Sequence, residues 1–200
     1  MSDFDWSAPD ARNFKLCFAA GSGMDTALEI GARDGHNTAM LANRFASVVV
    51  VDPQVSAALH QVATAHRNVT LLKGRLVERI AACSRSPLFD FIYVDGASIA
   101  QDVLLDLTLA WSRLKPGGVM LVDDYDRQND ASARLDPLML AALTQERRWD
   151  LFSPRAAVDS FIRVNAEAEP LFIGYQVVLR RRFDIHTHLA PVEPSVSLQV

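Results

Sequence analysis

Residues 28–38 of the chain read LEIGARDGHNT, which is a short apolar strand, a glycine-rich turn and the start of a helix. Gly31 and Gly35 permit a tight turn and let a ligand approach the backbone, next to the unpaired N–H groups of the helix amino terminus. Asp52 ends the next apolar run, 21 positions after Gly31 (52 − 31 = 21). An acid at that position can accept hydrogen bonds from both hydroxyls of a ribose, and Pro53 leaves its carboxylate free. The stretch therefore predicts a nucleoside site.

The glycine turn departs from that of a dinucleotide site. Such a site has the pattern G-x-G-x-x-G, whose second glycine lets a pyrophosphate sit on the helix, and Arg33 occupies that place here. Without a clear seat for a pyrophosphate, an adenosine that carries no phosphate is the better ligand. A nicotinamide-dependent oxidoreductase stays open as the alternative, because it shares the strand, the glycine turn, the helix and the acid.

The rest of the chain repeats the alternation of strand and helix. Strands are predicted at 26–30, 47–51, 69–72, 89–94 and 119–122, and helices at 37–45, 55–65, 76–82 and 99–114. Residues 47–51 are apolar without alternation, as in a strand buried on both faces. The composition of 115–118, Lys-Pro-Gly-Gly, predicts a turn. Together these patterns predict an α/β fold, with a doubly wound, mostly parallel sheet and helices on both of its faces.

The flanks complete one predicted domain over residues 1–190, followed by a tail over 191–200. Residues 1–25 form its N-terminal flank, in which a helix over 8–20 is expected to close over the cofactor. Residues 26–125 form the cofactor-binding half, and 126–190 the substrate-side half. Within the latter we expect a lid over 126–134, a helix over 138–145 and late strands over 170–179.

Acidic residues follow three of the predicted strands: Asp52, Asp95 and the pair Asp123-Asp124. A single aspartate in such a place is usually a helix cap or a turn former. Several in one register indicate more, because the carboxyl ends of parallel strands meet along one edge of the sheet. Carboxylates in this number suit Mg²⁺ or Ca²⁺. The alternative is that they cap helices, hold a cofactor or act as a base without a metal.

Taken in order, these motifs resemble the class I S-adenosylmethionine-dependent methyltransferases, and among them a small bacterial group with Asp-Gly after strand four and two aspartates after strand five. The resemblance covers about residues 26–125 and extends weakly into 156–161. It rests on the following stretches: Glu29-x-Gly31-x-x-x-Gly35, Asp52, residues 89–96 (FDFIYVDG), residues 114–119 (LKPGGV) and Asp123-Asp124-Tyr125.

The resemblance implies a Rossmann-like sheet of seven strands, one late strand being antiparallel, and S-adenosylmethionine as the cofactor. Glu29 would support the turn or the amino group of the cofactor, and Asp52 would hold the ribose. Asp95 would face the amino group or the substrate. The other cofactor-binding positions it implies are Gly31, Ala32 and Gly35 beside the methionine portion, and Gly74 and Arg75 beside the adenine.

The expected reaction is transfer of a methyl group to a small-molecule acceptor, at oxygen, with Asp95, Asp123 and Tyr125 as candidate catalytic residues. Packing at the edge of the core is the equal alternative for Tyr125. Asp95, Asp123 and Asp124 parallel the metal ligands of metal-dependent O-methyltransferases of the catechol type. One departure is Ser98, because the group commonly has a histidine there. A non-catalytic S-adenosylmethionine-binding protein therefore remains a further alternative.

Composition limits the partners and the compartment. The chain has 24 acidic and 20 basic residues among its 200, a net charge of −4, so nucleic acid is disfavoured as a partner. Its only basic run, 180–182, is predicted to be a solvated strand end. No apolar stretch approaches the ~18 residues that a membrane span needs, and two distant cysteines favour a cytoplasmic protein. The tail is compatible with an oligomer arm, as in a homodimer.

Overall fold

The strands and helices of the chain alternate through the first two thirds of the sequence. The computed structural model describes residues 9–83, 88–97, 99–126 and 153–182. The strands are β1 (Thr26–Ile30), β2 (Ser47–Asp52), β3 (Val69–Lys73), β4 (Phe89–Val94), β5 (Leu114–Val122), β6 (Ala168–Ile173) and β7 (Val177–Arg181). The helices are α1 (Pro9–Ala20), α2 (His36–Ala42), α3 (Ala57–Ala65), α4 (Leu76–Cys83), α5 (Ala100–Trp111) and α6 (Pro154–Val164).

All seven strands belong to one sheet, in the order β3-β2-β1-β4-β5-β7-β6. The first five pair in parallel, and β7 lies antiparallel between β5 and β6. The predicted Rossmann-like, mostly parallel sheet with one antiparallel late strand is confirmed. The predicted helix over 138–145, the lid beyond Asp126, position 98 and the tail over 191–200 lie outside the described residues. None of the described helices is long and apolar enough to cross a membrane.

Each face of the sheet carries its own apolar core, because successive side chains of a strand point to opposite faces. On β4, Phe91 and Tyr93 join the core under α1, α2 and α3, whereas Ile92 and Val94 join the core under α4, α5 and α6. The four valines of β2 are all buried and divide in the same way. The central strands are therefore covered on both sides, and polar groups can gather only at their ends.

Two predictions about the later strands are wrong. Residues 115–118 do not form a turn; they lie inside β5, which pairs with β4 through a shift in register between Phe89 and Phe91. Gly117, at φ +78°, takes the left-handed conformation that the irregularity requires. Residues 180–182 are not simply solvated either, because Arg181 is buried and donates to Glu167 at 2.8 Å.

Candidate functional site

The glycine turn after β1 brings the ends of β1 and β4 into close contact. Gly31 has φ +81°, and a Cβ atom there would lie 2.4 Å from the backbone oxygen of Asp95. Only glycine fits this position without displacing the Asp95-Gly96 backbone. Gly35 has a different neighbour, since a Cβ atom there would meet Val62 and Leu59 of α3. Gly31 therefore shapes the site edge, and Gly35 allows α3 to pack beside the start of α2.

Asp52 holds the turn in place from the end of β2. Its Oδ2 accepts hydrogen bonds from the backbone N–H groups of Ala32 at 2.7 Å and Arg33 at 3.1 Å. Its Oδ1 accepts from the N–H of Gln54 at 2.6 Å. The prediction that this carboxylate is free is wrong, since it is 5% exposed and bound to three donors. A carboxylate has about four acceptor positions, so one remains for a ligand hydroxyl.

Two adjoining cavities open along the carboxyl ends of the strands. The smaller, of about 250 Å³, is mostly apolar, and the larger, of about 610 Å³, is mostly polar. Both are lined by Gly31, Pro53 and Gly96. The smaller one, which we call the apolar slot, also includes Gly74, Arg75, Ala97 and the α5 acids Asp102 and Asp106. The larger one, which we call the polar cavity, also includes Arg33, Asp52, Asp95 and Asp124.

The two acids of the apolar slot differ in their hydrogen bonds. Arg75 forms an ion pair with Asp102 at 2.6 Å, whereas Asp106, one helical turn further along α5, accepts no hydrogen bond from the described residues. Burial raises the pKa of Asp106 to about 6; the Arg75 charge opposes this shift and the Asp102 charge adds to it. Asp106 therefore offers an acceptor to a ligand in a mainly apolar space. Nothing in the sequence singles it out beyond its spacing of four residues from Asp102.

Glu29 lies beneath the glycine turn and is fully buried. Its Oε2 accepts a hydrogen bond from Thr38 Oγ1 at 2.5 Å, while its Oε1 has no hydrogen-bond partner among the described residues. Burial, and to a smaller extent the nearby charges of Asp95, Asp52 and Asp34, raise the pKa of Glu29 to about 8, against the Thr38 bond. Glu29 lines neither cavity, so its observed contact is with Thr38 of α2, which ties the end of β1 to the helix after the turn.

The two aspartates after β5 point in different directions. Asp123 Oδ2 accepts from the hydroxyl of Tyr93 and, at 2.9 Å, from Nε2 of Gln176. Asp124 has φ +59°, lines the polar cavity, and accepts from the Tyr175 hydroxyl at 2.5 Å. The polar cavity thus brings together Asp95 and Asp124, but not Asp123.

The three aspartates after β4 and β5 are not arranged to bind the expected cation. Within the ranges that the structure describes, no three His, Cys, Asp or Glu side chains are grouped so that they could hold a metal ion. Asp123 faces O–H and N–H donors, which would repel a cation. Asp95, Asp123 and Asp124 as they stand do not form the predicted Mg²⁺ or Ca²⁺ site, and we derive no step through a metal.

Tyr125 lies in the core rather than in either cavity. The residue is 8% exposed, and its hydroxyl donates to Asp159 of α6 at 2.9 Å. The Arg155 guanidinium lies over the ring, 5.0 Å from its centroid. This arrangement favours the packing alternative for Tyr125 over a contact with substrate.

Residues 28–125 match the model of a methyltransferase domain family. This stretch, just under half of the chain, runs from β1 to the residue after the Asp123-Asp124 pair. No curated protein matches the sequence. The matched stretch contains the residues that line the two cavities.

Solved structures with the same fold include methyltransferases that differ in their acceptors. An O-methyltransferase of tomaymycin synthesis from Streptomyces achromogenes, in complex with SAM, is 17% identical, with a TM-score of 0.62 over 92% of this chain and 84% of that one. An N-methyltransferase from Bradyrhizobium japonicum is 16% identical, with a TM-score of 0.57 over 86% and 94%. An rRNA methylase from Streptococcus thermophilus is 15% identical, with a TM-score of 0.62 over 88% and 98%. At these identities the likeness shows the fold alone.

Proposed function

We propose that the protein transfers a methyl group from S-adenosylmethionine to a small-molecule acceptor, at an oxygen atom. The observation that carries the proposal is the pair of adjoining cavities, one apolar and one acidic, that share Gly31 within the stretch matching a methyltransferase domain. An adenosine joined to an amino acid has the same division into a flat apolar base and a polar, charged end. A dinucleotide would need a phosphate seat instead, and acids line this edge.

Each part of the donor has a matching group in the site. The apolar slot would take the adenine, with Asp106 accepting from its amino group, and the free acceptor position of Asp52 would take a ribose hydroxyl. The carboxylate of Asp95 would face the ammonium group. When bound, S-adenosylmethionine supplies a methyl carbon that its sulfonium makes electrophilic. Because both the sulfonium and the ammonium are cationic, acids at this edge favour the donor.

The acceptor assignment rests on size and on charge. The polar cavity, of about 610 Å³, has the size of a small-molecule site, which favours a small molecule over a macromolecule. A hydroxyl acceptor must lose its proton during methyl transfer, and the carboxylates of Asp95 and Asp124 in the polar cavity could receive it.

Titration with S-adenosylhomocysteine, the demethylated donor, tests the cofactor assignment by calorimetry. We expect saturable binding to the parent protein and loss of binding in Ala97→Phe, because the added ring would fill the apolar slot without touching the Asp52 hydrogen bonds. Leu105→Phe, at a 38% exposed position of α5, adds the same ring outside the slot, is the matched control and should bind like the parent. Equal binding by Ala97→Phe, or no binding by the folded parent, would contradict the proposal.

A further inference from the structure

Three separate parts of the chain donate hydrogen bonds to the Asp123 carboxylate. Oδ2 accepts from the Tyr93 hydroxyl of β4 and from Gln176 Nε2, before β7, at 2.9 Å. Oδ1 accepts from the backbone N–H of Asp124 at 2.7 Å. Tyr93 and Gln176 are only 2% and 1% exposed, so these donors reach Asp123 from the interior. The protein itself therefore takes three of the about four acceptor positions of this carboxylate, including both on Oδ2.

The hydrogen bonds continue from Gln176 to the first helix. Gln176 Oε1 accepts from Nδ2 of Asn13, a buried residue of α1, at 2.8 Å. Because a carboxylate only accepts, Gln176 must turn its amide nitrogen toward Asp123, and its oxygen then needs a donor, which Asn13 provides. The carboxylate of Asp123 thus fixes which way both hydrogen bonds run: Asn13 donates to Gln176, and Gln176 donates to Asp123. Phe14 packs α1 against the same place, with its ring centroid 5.3 Å from that of Tyr93.

Asp124 needs such support because of its backbone conformation. Its φ of +59° lies in the left-handed region, which residues with a side chain rarely adopt. The Asp123 carboxylate accepts from its N–H, and the Tyr175 hydroxyl donates to its Oδ1, so it is held from both its backbone and its side chain. In this conformation Asp124 lines the polar cavity together with Asp95.

We propose that the two aspartates have different roles. Asp123 is a positioning residue, held by hydrogen bonds from Tyr93 and Gln176. Asp124 is the carboxylate that contacts the methyl donor, S-adenosylmethionine. The inference rests on the proposed function for the identity of the donor. It differs from the pattern in which two neighbouring acids ligate one cation, because here one of them faces the interior. In this arrangement α1 also helps to position Asp123, through Asn13 and Phe14.

An exchange of charge between positions 123 and 176 separates positioning from contact. Asp123→Asn leaves at least one of the three hydrogen-bond donors to this side chain without an acceptor. We expect the melting temperature to fall by about 5 °C. Adding Gln176→Glu restores a carboxylate and an amide in the reverse order. The amide at position 123 then donates to the carboxylate at position 176 and to the Tyr93 oxygen, and Asn13 still donates as before; only the Tyr93 proton lacks its former acceptor. We expect the double variant to recover about half of the loss in melting temperature and in affinity for S-adenosylhomocysteine.

Asp124→Asn tests the second role by calorimetry with S-adenosylhomocysteine. We expect about tenfold weaker binding, since a charge-assisted hydrogen bond is lost, at an unchanged melting temperature. Asp126→Asn is the matched control: it removes one charge from the same loop, at a position 58% exposed and paired with Arg155, and should bind like the parent.

The outcomes separate this inference from the proposed function. If the double variant regains stability but not binding of S-adenosylhomocysteine, the carboxylate of Asp123 itself contacts the ligand, and the inference is overturned. Parent-like binding by Asp124→Asn would overturn it as well. If the parent does not bind at all, the proposed function fails, while the melting temperatures of Asp123→Asn and the double variant still decide whether Asp123 is locked.

Discussion

A single buried carboxyl, Glu29, connects the site to the pH dependence of stability. Burial raises its pKa to about 8 in the folded protein, against 4.5 as the ordinary value. Between these two pH values the folded chain keeps a proton that the unfolded chain loses, so unfolding becomes easier as the pH rises. The contribution of Glu29 to stability is thus fully present below pH 4.5 and lost as the pH rises through 8.

Replacing Glu29 by glutamine should remove this dependence. The amide stays neutral at every pH, and its oxygen can still accept from Thr38. We expect the fall in the free energy of unfolding between pH 4.5 and 8 to become shallower by about 2–4 kcal/mol, measured by urea denaturation at a series of pH values. Curves that remain parallel for Glu29→Gln and the parent would show that Glu29 ionises normally.

We expect Asp106 to make the binding of the methyl donor and of S-adenosylhomocysteine depend on pH. Only the ionised carboxylate is a strong acceptor for the adenine amino group, and the pKa of Asp106 is raised to about 6. Binding of S-adenosylhomocysteine should therefore weaken as the pH falls below 6. Asp106→Asn should bind about tenfold more weakly than the parent in alkaline buffer, and equally in acidic buffer.

Two controls make the Asp106 experiment specific to the base. Asp102→Asn lies one turn earlier on α5 and keeps the Asp106 carboxyl, so binding should still depend on pH, but with the transition moved to lower pH because the Asp102 charge no longer raises the pKa of Asp106. An analogue with hypoxanthine in place of adenine presents a carbonyl to Asp106 and should bind poorly to the parent. If the analogue binds as well as S-adenosylhomocysteine, Asp106 does not recognise the amino group.

The sequence predicted which residues gather at the site edge better than it predicted what they do there. Asp52 and Asp95 were found because each follows an apolar strand. Their spacing could not reveal that Asp52 is bound to three backbone N–H groups, nor that Asp123 faces Gln176, which lies 53 residues away. Bonds of that kind depend on the packing of β7 beside β5, and no local pattern encodes them.

At the scale of the elements, Arg181 joins the far end of the sheet. From β7 its guanidinium donates to Glu167 at 2.8 Å and to the backbone oxygens of Trp111 at 3.3 Å and Leu114 at 2.7 Å. It thus satisfies the end of α5 and the start of β5. Composition alone predicted a solvated run, because three successive arginines are usually exposed; the alternation of the strand turns the middle one inward.

Arg181→Met should therefore destabilise the protein, by about 3 kcal/mol, since it removes the positive charge from a buried ion pair with Glu167. Arg180→Met is the matched control: its partner Glu169 also pairs with Arg182 and is more exposed, so the loss should be below about 1 kcal/mol. Chemical denaturation measures both. Similar losses for the two variants would mean that the Arg181 ion pair contributes no more than one at the surface.

The start of β5 shows why its sequence pattern was misinterpreted. Lysine, proline and two glycines are typical of a turn, yet Lys115 donates to the buried Asp90 at 2.9 Å. Asp90 also accepts from the backbone N–H of Thr26 at 2.9 Å. Burial opposes the charge of Asp90, but the bonds from Lys115 and Thr26 outweigh it and lower its pKa. A long-range ion pair thus draws this segment into the sheet.

Across the whole molecule, the fold followed from the sequence because its central strands are apolar throughout. A strand such as β2, with four buried valines, can be stable only between two layers of helices. This constraint also leaves the carboxyl edge as the place for polar groups, so fold and site location were predicted together. The methyl acceptor does not follow from the fold in the same way. Solved structures with this fold are named as an O-methyltransferase, an N-methyltransferase and an rRNA methylase.

Ligand-induced stabilisation of the whole domain distinguishes the classes of donor. A ligand at about 100 times its dissociation constant adds about 2.7 kcal/mol to the stability of the folded state. For a chain of this length that corresponds to a rise in melting temperature of about 5–10 °C. We expect this rise with S-adenosylhomocysteine and none with NAD, because Arg33 stands where a pyrophosphate site needs glycine. Ala97→Phe should abolish the rise and Leu105→Phe should retain it. A rise with NAD alone would instead favour an oxidoreductase, with the apolar slot and Asp52 serving a dinucleotide.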